Sequence, residues 1–151
     1  MTDLRSNDEE ILKACVSLFI NDEVLPSYVG TKIRQEGEFV PTVDTVPLIT
    51  IWVQMDRSWY ALPTCSGGLK ISVYNSTKKS ENKKTSRLIA ARIFNLIDDM
   101  EGKDNINDEG TLKSYYPKIR MIERQNAFFM PVELDNITRY VQNFNFVVGK
   151  Q

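Results

Sequence analysis

The chain has 151 residues, a length that fits one domain and can bury a sizeable core without metal ions or disulfide bonds. Apolar residues make up 42% and charged residues 26%, and 19 basic side chains nearly balance 20 acidic ones. This composition excludes a disordered chain and a protein whose whole surface is basic. The sequence contains no histidine, which excludes catalytic sites built on a histidine base and most zinc sites.

The two cysteines indicate neither a disulfide framework nor a redox motif, because they do not show CxxC spacing. Cys15 falls on the apolar stripe of the first predicted helix and is expected in the core. Cys65 lies in a Pro-Thr-Cys-Ser-Gly-Gly segment that could be exposed, but no histidine is available to activate it. The acidic N-terminus does not resemble a signal peptide, and no run of 18 apolar residues occurs. We therefore expect a reducing, cytosolic compartment and no membrane span.

The first half of the chain predicts two helical segments and three strands. Ser6 and Glu9 form a capping box for a helix that runs to about Ile20. A short helical turn over residues 24–29 is expected to end at Gly30, followed by an edge strand over residues 31–34. The apolar stripe of the first helix consists of Ile11, Leu12, Cys15, Leu18 and Phe19.

Two central strands are predicted from alternating apolar residues. The first is Leu48–Met55, with Trp52 on the face opposite Ile49, Ile51, Val53 and Met55. A long connection over residues 56–68 leads to the second, Leu69–Tyr74. Its alternation predicts one buried face and one solvent-exposed face that carries Lys70, Ser72 and Tyr74.

The second half predicts a long helix followed by strands. A polar loop over residues 75–84 leads into the helix, which Gly102 is expected to close, and residues 103–110 read as an acidic loop. A strand is predicted at 118–124, a short one at 127–132, and a long last strand at 137–148. The apolar stripe of the helix consists of Leu88, Ile89, Ala91, Ile93, Phe94, Leu96, Ile97 and Met100.

The order of these elements indicates a single α+β domain over residues 1–151. Strands and helices do not alternate as a doubly wound fold requires, and no repeat or linker composition appears. The prediction is a mostly antiparallel sheet with two main helices packed on one face.

Charge is clustered along the chain although it sums to nearly zero. The net charge is −5 over residues 1–47, +6 over residues 70–92 and −5 over residues 98–109. Patches of opposite sign can complement a second copy head to tail, and such heterologous contacts build rings. The alternative interpretation is a set of solvated loops.

The lysine-rich loop could instead hold phosphate groups through Lys78, Lys79, Lys83 and Lys84. Binding of this kind is sensitive to salt and blind to sequence. No aromatic residue is interleaved with the lysines, so base stacking is not supported there.

Motifs for catalysis are weak. Glu81-Asn82-Lys83 and Glu101-Gly102-Lys103 both spell the Glu-x-Lys of metal-dependent nucleases, but neither lies on a predicted strand beside another carboxylate. Ser66-Gly67-Gly68 lacks the Lys-Ser/Thr that completes a phosphate-binding loop. We therefore predict that the chain is not an enzyme and has no cofactor or metal site.

Aromatic residues in predicted loops are candidates for a protein interface. Trp59 and Tyr60, with Arg57 beside them, lie in the connection between the central strands, and Phe128 and Phe129 precede the final strand. Such residues either cover the core of their own domain or anchor a partner, since Trp, Tyr and Arg concentrate binding energy at interfaces.

The layout of the whole chain resembles the phage tail terminator family, also called tail completion or head–tail joining proteins. The resemblance rests on the opening helix 7–19 and on five further stretches in order. These are NDEVLPSYVGTKI, VPLITIWVQ, GLKISVYN, TSRLIAARIFNLID and ITRYVQNFNFVV. The chain departs from the family in the long connection 56–68 and in its lysine loop.

The resemblance implies a non-enzymatic, typically hexameric ring on top of the completed tail tube. Such a ring ends tube polymerisation and offers a docking face to the head connector, while DNA passes through it unread. The partners implied are a second copy, the tail tube protein and the neck or head connector, in a virion assembled in the host cytoplasm. A neck or head-closure subunit and a small nucleic-acid-binding accessory protein stay open as alternatives. Interface candidates are Arg57, Trp59, Tyr60, Lys78, Lys79, Lys83, Lys84, Phe128 and Phe129.

Overall fold

The computed structural model describes residues 7–38, 41–55, 64–114, 118–130 and 136–149. Within these ranges lie four α-helices, one 3₁₀ turn and five strands. The helices are α1 (Asn7–Ile20), α2 (Leu25–Val29), α3 (Glu81–Ile97) and α4 (Asp99–Asn107), with the 3₁₀ turn at Gly110–Lys113. The strands are β1 (Ile33–Gln35), β2 (Leu48–Met55), β3 (Thr64–Ser76), β4 (Lys118–Met130) and β5 (Ile137–Gly149).

The five strands form one sheet in the order β1-β2-β3-β5-β4. β1 runs parallel to β2, and every other neighbouring pair is antiparallel. The helices pack on one face, where apolar residues of all four helices and of the strands form one core. The predicted α+β class is confirmed. We call the covered side the helix face and the opposite side the open face.

Helix α1 confirms the predicted stripe. Ile11, Cys15 and Phe19 are fully buried, and Leu12 and Leu18 pack against them at the margin of the core. The predicted capping box lies outside the described residues because it depends on Ser6. The short helix α2 ends at Gly30 as predicted, where a positive φ of 61° favours glycine.

Strand β3 begins earlier than predicted, at Thr64 instead of Leu69, and it runs through both glycines of the supposed connection. Gly67 pairs with Met55 on one side and with Phe146 on the other. A Cβ atom placed on Gly67 would lie 2.5 Å from Cζ of Phe146 and 2.6 Å from the carbonyl oxygen of Gln54. Gly67 therefore serves close packing within the strand rather than a loop.

The open face of β3 is less exposed than its alternation predicts. Ser72 and Tyr74 are buried, although both point away from the helices. The segment 41–47 covers this corner, because Val43 and Val46 pack on Leu48, Tyr74 and Ile137. The prediction of a fully solvent-exposed face was wrong because it took no account of a loop returning over the sheet.

Helix α3 also differs from its prediction. It ends at Ile97, where Asp98 adopts an extended conformation, and Gly102 lies inside a further helix, α4. A Cβ atom on Gly102 would lie 2.1 Å from the carbonyl carbon of Ile97, so glycine allows α4 to fold back against the end of α3. Residues 103–110 are mainly helical rather than a loop. Leu88, placed on the apolar stripe by its spacing, is 49% exposed.

Strand β4 is one continuous strand rather than two short ones. Register shifts between Ile119 and Met121 and between Arg124 and Asn126 leave one extra residue at each place. These bulges interrupt the apolar alternation, which explains the split prediction. Phe128 and Phe129 consequently lie in the second half of β4, where the short strand 127–132 was predicted, and not in a loop before the final strand.

Asp22 connects α1, α2 and α3. Its carboxylate accepts hydrogen bonds from the guanidinium of Arg92 at 2.5 and 3.1 Å, and from the backbone N–H groups of Val24 and Leu25 at 3.1 and 3.0 Å. Burial by itself would raise the pKa of Asp22, but these hydrogen bonds bring the pKa below its ordinary value. The ion pair therefore stabilises the fold above about pH 4, and this contribution is lost as the pH falls through the lowered pKa.

The two adjacent glycines of β3 provide a matched test of close packing. Gly67→Ala should lower the free energy of unfolding by about 2–3 kcal/mol, because its methyl group has no space between Phe146 and the backbone of Gln54. Gly68→Ala should change it by less than about 1 kcal/mol, since the nearest atom is 4.0 Å away. Urea denaturation of both variants checks this, and equal losses would contradict the packing argument.

Asp22→Asn should lower the free energy of unfolding by about 2 kcal/mol at pH 7, because it removes charged hydrogen bonds from Arg92. The difference from the parent chain should shrink as the pH falls below about 4, because the Asp22 carboxylate of the unfolded chain then binds a proton that the folded chain, with its lowered pKa, binds only at lower pH. Denaturation curves between pH 3 and pH 7 measure this, with the exposed Asp44→Asn as the control. A loss that does not depend on pH would show that the ion pair is not its source.

Candidate assembly surfaces

The structure describes some of the residues of the predicted interface and leaves the interface itself a prediction. Arg57, Trp59 and Tyr60 lie outside the described residues. The four lysines of the second cluster and the two phenylalanines of the third are described, and their surroundings can be compared directly.

The lysine loop is a tight turn at the end of β3. The side chain of Asn75 donates to the carbonyl oxygen of Asn82 at 3.2 Å, and the hydroxyl of Ser76 accepts from the N–H of Lys78 at 3.1 Å. These bonds join the strand end to the start of α3. The loop therefore presents Lys78 and Lys79 from a fixed turn, with both residues exposed.

Lys83 and Lys84 lie in the first turn of α3, where Glu81 is the sole acid. Positive charge at a helix N-terminus opposes the helix dipole and costs stability. None of the four lysines forms an ion pair with a carboxylate among the described residues. A charge pattern that is locally unfavourable and not neutralised is typical of a surface kept for a partner.

The structure brings the lysine cluster and Phe129 together. The Nζ atom of Lys83 lies 5.3 Å from the centre of the Phe129 ring, and the guanidinium of Arg87 lies 5.0 Å from it. The same ring contacts Tyr140 edge-on at a centroid distance of 4.8 Å. We call Lys78, Lys79, Lys83, Lys84 and Arg87 the basic pole. Arg87 and Tyr140 were missed by sequence reasoning, although the spacing of Lys83 and Arg87 on one helix turn could have indicated the first.

Phe128 points to the other side of the sheet. It is 42% exposed on the open face, where Trp52, Met121 and Met130 are also exposed. Trp52 lies on β2, however, and two strands, β3 and β5, separate it from the three exposed residues of β4. The predicted pair Phe128 and Phe129 is therefore divided between two surfaces.

A polar network crosses the open face between these apolar residues. The Arg139 guanidinium donates to Oε1 of Glu36 at 2.6 Å and to the hydroxyl of Ser72 at 3.0 Å. The ammonium group of Lys70 lies 3.3 Å from the second oxygen of Glu36. These residues join the end of β1 to the centre of the sheet.

The acidic segments 1–47 and 98–109 have fewer carboxylates available to a partner than their net charge suggests. Asp98 accepts the N–H of Arg124 at 2.9 Å, and Glu109 accepts the hydroxyl of Ser17 at 2.7 Å. Asp22 and Glu36 are paired with arginines, and Glu9 lies 3.3 Å from Lys13. Several acidic side chains are therefore engaged within the molecule, whereas none of the described carboxylates forms an ion pair with the basic pole.

Features of an active site are sparse in the described part of the chain. No group of three or more Cys, Asp or Glu residues there could hold a metal ion. Cys15 is fully buried in the core, as predicted, and this burial raises the pKa of its thiol to about 12. An open groove of about 380 Å³ between α1 and β1 is lined by mixed side chains, including Leu12, Lys13 and Glu38. None of the described helices is both long and apolar enough to span a bilayer.

The fold is shared with a solved virion chain. A chain in the structure titled "Virion of native gene transfer agent (GTA) particle" superposes with a TM-score of 0.70 at 16% sequence identity. The match covers 96% of this chain and 99% of that one, so the two domains correspond over their full length. No protein-family model and no curated protein matches the sequence.

Lys84→Glu should raise the free energy of unfolding by about 0.5–1 kcal/mol, because it replaces an unfavourable charge at the N-terminus of α3 by a favourable one. Lys84 is the suitable position because Lys83 also contacts Phe129. Thermal or urea unfolding at low salt measures the change. The exposed Arg120→Glu on β4 is the control and should show no comparable gain.

Proposed function

We propose that this chain is a structural subunit of a phage-like virion and not an enzyme. The observation that carries the proposal is the full-length fold match to a chain of the gene transfer agent virion. The match covers 96% of this chain and 99% of that one, so the likeness extends over both chains rather than over a shared fragment. The absence of a histidine from the sequence is consistent with a subunit that works by binding.

Within the virion, we propose the role of tail terminator. A ring of this chain, most simply a hexamer, would sit on the tail tube, end its polymerisation and dock the neck or head connector, with DNA passing through. The order of helices and strands that resembles the terminator family supports this role. The basic pole and the exposed apolar residues of the open face lie on different surfaces, as a subunit with several neighbours requires.

Several acidic side chains are bonded within the domain and are less available to a neighbouring subunit. The alternating charge patches therefore give less support to a head-to-tail ring. The ring therefore rests on the fold match and on the family resemblance. A neck or head-closure subunit of the same virion shares these properties and is the alternative within the class. The basic pole favours a second candidate of another class, a small protein that binds nucleic acid through phosphate contacts.

The purified protein should form particles of about six times 17.4 kDa, visible as rings with an open centre. Light scattering after gel filtration gives the mass, and negative-stain microscopy gives the shape. Mixed with polymerising tail tube protein from the same virion, the chain should shorten the tubes and appear at their ends.

The outcomes separate the candidates. Rings that leave tube length unchanged but bind the head connector would indicate a neck subunit. A monomer that leaves tubes unchanged and binds DNA with an affinity falling steeply between 50 and 200 mM salt would contradict the virion role and indicate the accessory protein.

A further inference from the structure

The two edge strands of the sheet, β1 and β4, differ in how far their backbone N–H and C=O groups find hydrogen-bond partners. An edge strand has a row of N–H and C=O groups without a partner strand, and proteins commonly cover such groups. At β1 the covering is local. The side chain of Arg34 donates to the carbonyl oxygen of Ile33, the N–H of Ile33 donates to Thr31, and the N–H of Glu38 donates to the carbonyl oxygen of Gln35. The β1 edge is therefore largely closed.

The first half of the β4 edge is closed by α4 and its neighbouring residues. The side-chain amide of Asn107 bonds both backbone groups of Ile119, with distances of 2.8 and 2.9 Å, in the manner of a partner strand. Asp98 accepts the outward N–H of Arg124 at 2.9 Å. Ile122 lies between these two capped residues and is buried.

Along the second half of β4, none of the described residues caps the backbone groups of the edge. Along an antiparallel edge strand, the N–H and C=O groups of one residue point to the neighbouring strand and those of the next residue point away from it. The N–H of Arg124 points away from β5, towards Asp98. Counted through the bulge at 125, the backbone groups of Ala127 and Phe129 therefore also point away from β5. Phe129 and Tyr140 would then face each other without exchanging backbone hydrogen bonds. Their close ring contact agrees with this assignment, since side chains approach most closely at pairs of residues that are not hydrogen-bonded to each other. Among the described residues, no group caps the outward N–H and C=O of Ala127 or Phe129.

Different side chains flank the two sides of this open edge. On the helix face stand Phe129 and the cations of Lys83 and Arg87 above its ring. On the open face stand the exposed side chains of Phe128 and Met130. A strand added here would therefore meet positive charge on one side and apolar surface on the other.

We propose that residues 125–130 of β4 bind an extended segment of a different protein as an added strand, with acidic and apolar residues alternating along that segment. Backbone bonds to Ala127 and Phe129 would provide affinity, and the two flanking surfaces would provide specificity. A second copy is not the occupant, because pairing β4 with β4 would bring two sets of Lys83 and Arg87 together and the β1 edge is closed. This inference goes beyond the proposed ring and does not require it.

Nucleic acid is a weaker candidate for this surface. Phosphate contacts would use the lysines but not the backbone edge of a strand, and the Phe129 ring is already in contact with Lys83, Arg87 and Tyr140. A free face for base stacking is therefore not provided by that ring.

The test uses the full chain and a synthetic peptide of four Glu-Val repeats, blocked at both ends. Hydrogen–deuterium exchange with mass spectrometry should show slower exchange in residues 125–130 on addition of the peptide, by about tenfold at saturation. Residues 118–124, whose edge is already capped, serve as the internal reference. The same peptide with Lys in place of Glu, or with alternate N-methyl groups, should have no effect.

Two variants make the assignment specific. Ala127→Pro removes an outward N–H without removing a bond to β5, and a proline is tolerated at such an edge position. It should weaken peptide binding at least about tenfold while leaving the fold intact. Lys83→Glu with Arg87→Glu should abolish binding, whereas the control Lys113→Glu with Arg120→Glu, at the other end of β4, should not.

Three results would overturn the proposal. The first is peptide binding without protection of residues 125–130. The second is equal protection in the protein alone as its concentration rises, which would make a second copy the occupant. The third is displacement of the peptide by duplex DNA with no backbone protection, which would make the surface a phosphate site.

Discussion

The placement of α3 over β5 and β4 is the constraint on which the other surfaces depend. Buried Gln142 on β5 donates to the carbonyl oxygen of Ala90 at 2.9 Å and accepts from Arg124 at 3.2 Å, while Arg124 lies 4.1 Å above the ring of Phe94. Gln142 is fully buried, so leaving its amide without partners would cost roughly 1–3 kcal/mol. This network fixes the helix in one position, because a shift of α3 along the sheet would break the hydrogen bond to Ala90 and move the Phe94 ring away from Arg124.

With α3 fixed, its two ends have opposite effects on β4. The helix is about 25 Å long at 1.5 Å per residue, enough to reach both halves of the strand. At its C-terminal end, Asp98 caps the edge of β4 and begins α4, which closes the first half. At its N-terminal end, Lys83 and Arg87 contact the ring of Phe129 but leave the backbone edge uncovered. One helix thus determines where the sheet is closed and where it is open.

The basic pole and the neighbouring edge of β4 each have a property that seldom stabilises a fold. Positive charge at the start of a helix is unfavourable, and an open strand edge invites association with other chains. Together, however, the charges protect the edge against a second copy of the same chain, because like charges would meet. The bulge before Asn126 further limits regular pairing. For a subunit that must meet several neighbours in an ordered assembly, such selectivity is useful.

Much of the fold could be predicted from the sequence because it depends on local patterns. The stripe of α1, the strand Leu48–Met55, the turn at Gly30 and the α+β class follow from periodicity and turn chemistry, and the structure confirms them. The length of β3, the helical state of 103–107 and the single strand β4 could not be predicted. The length of β3 depends on the close packing of Gly67 against Phe146, and α4 depends on the close packing of Gly102 against Ile97. The continuity of β4 depends on two bulges in its pairing with β5. All three involve contacts between segments that the local sequence pattern does not relate.

For the candidate surfaces, the sequence by itself determined which residues are charged or aromatic, and it singled out the four lysines, Phe128 and Phe129. The tertiary structure decided how they are grouped. It placed Phe129 beneath Lys83 and Arg87, turned Phe128 to the opposite face, and paired Asp22 and Glu36 with arginines. The physical reason is that side-chain neighbours across a sheet are set by strand register and helix placement, and neither is encoded in the spacing of any single segment.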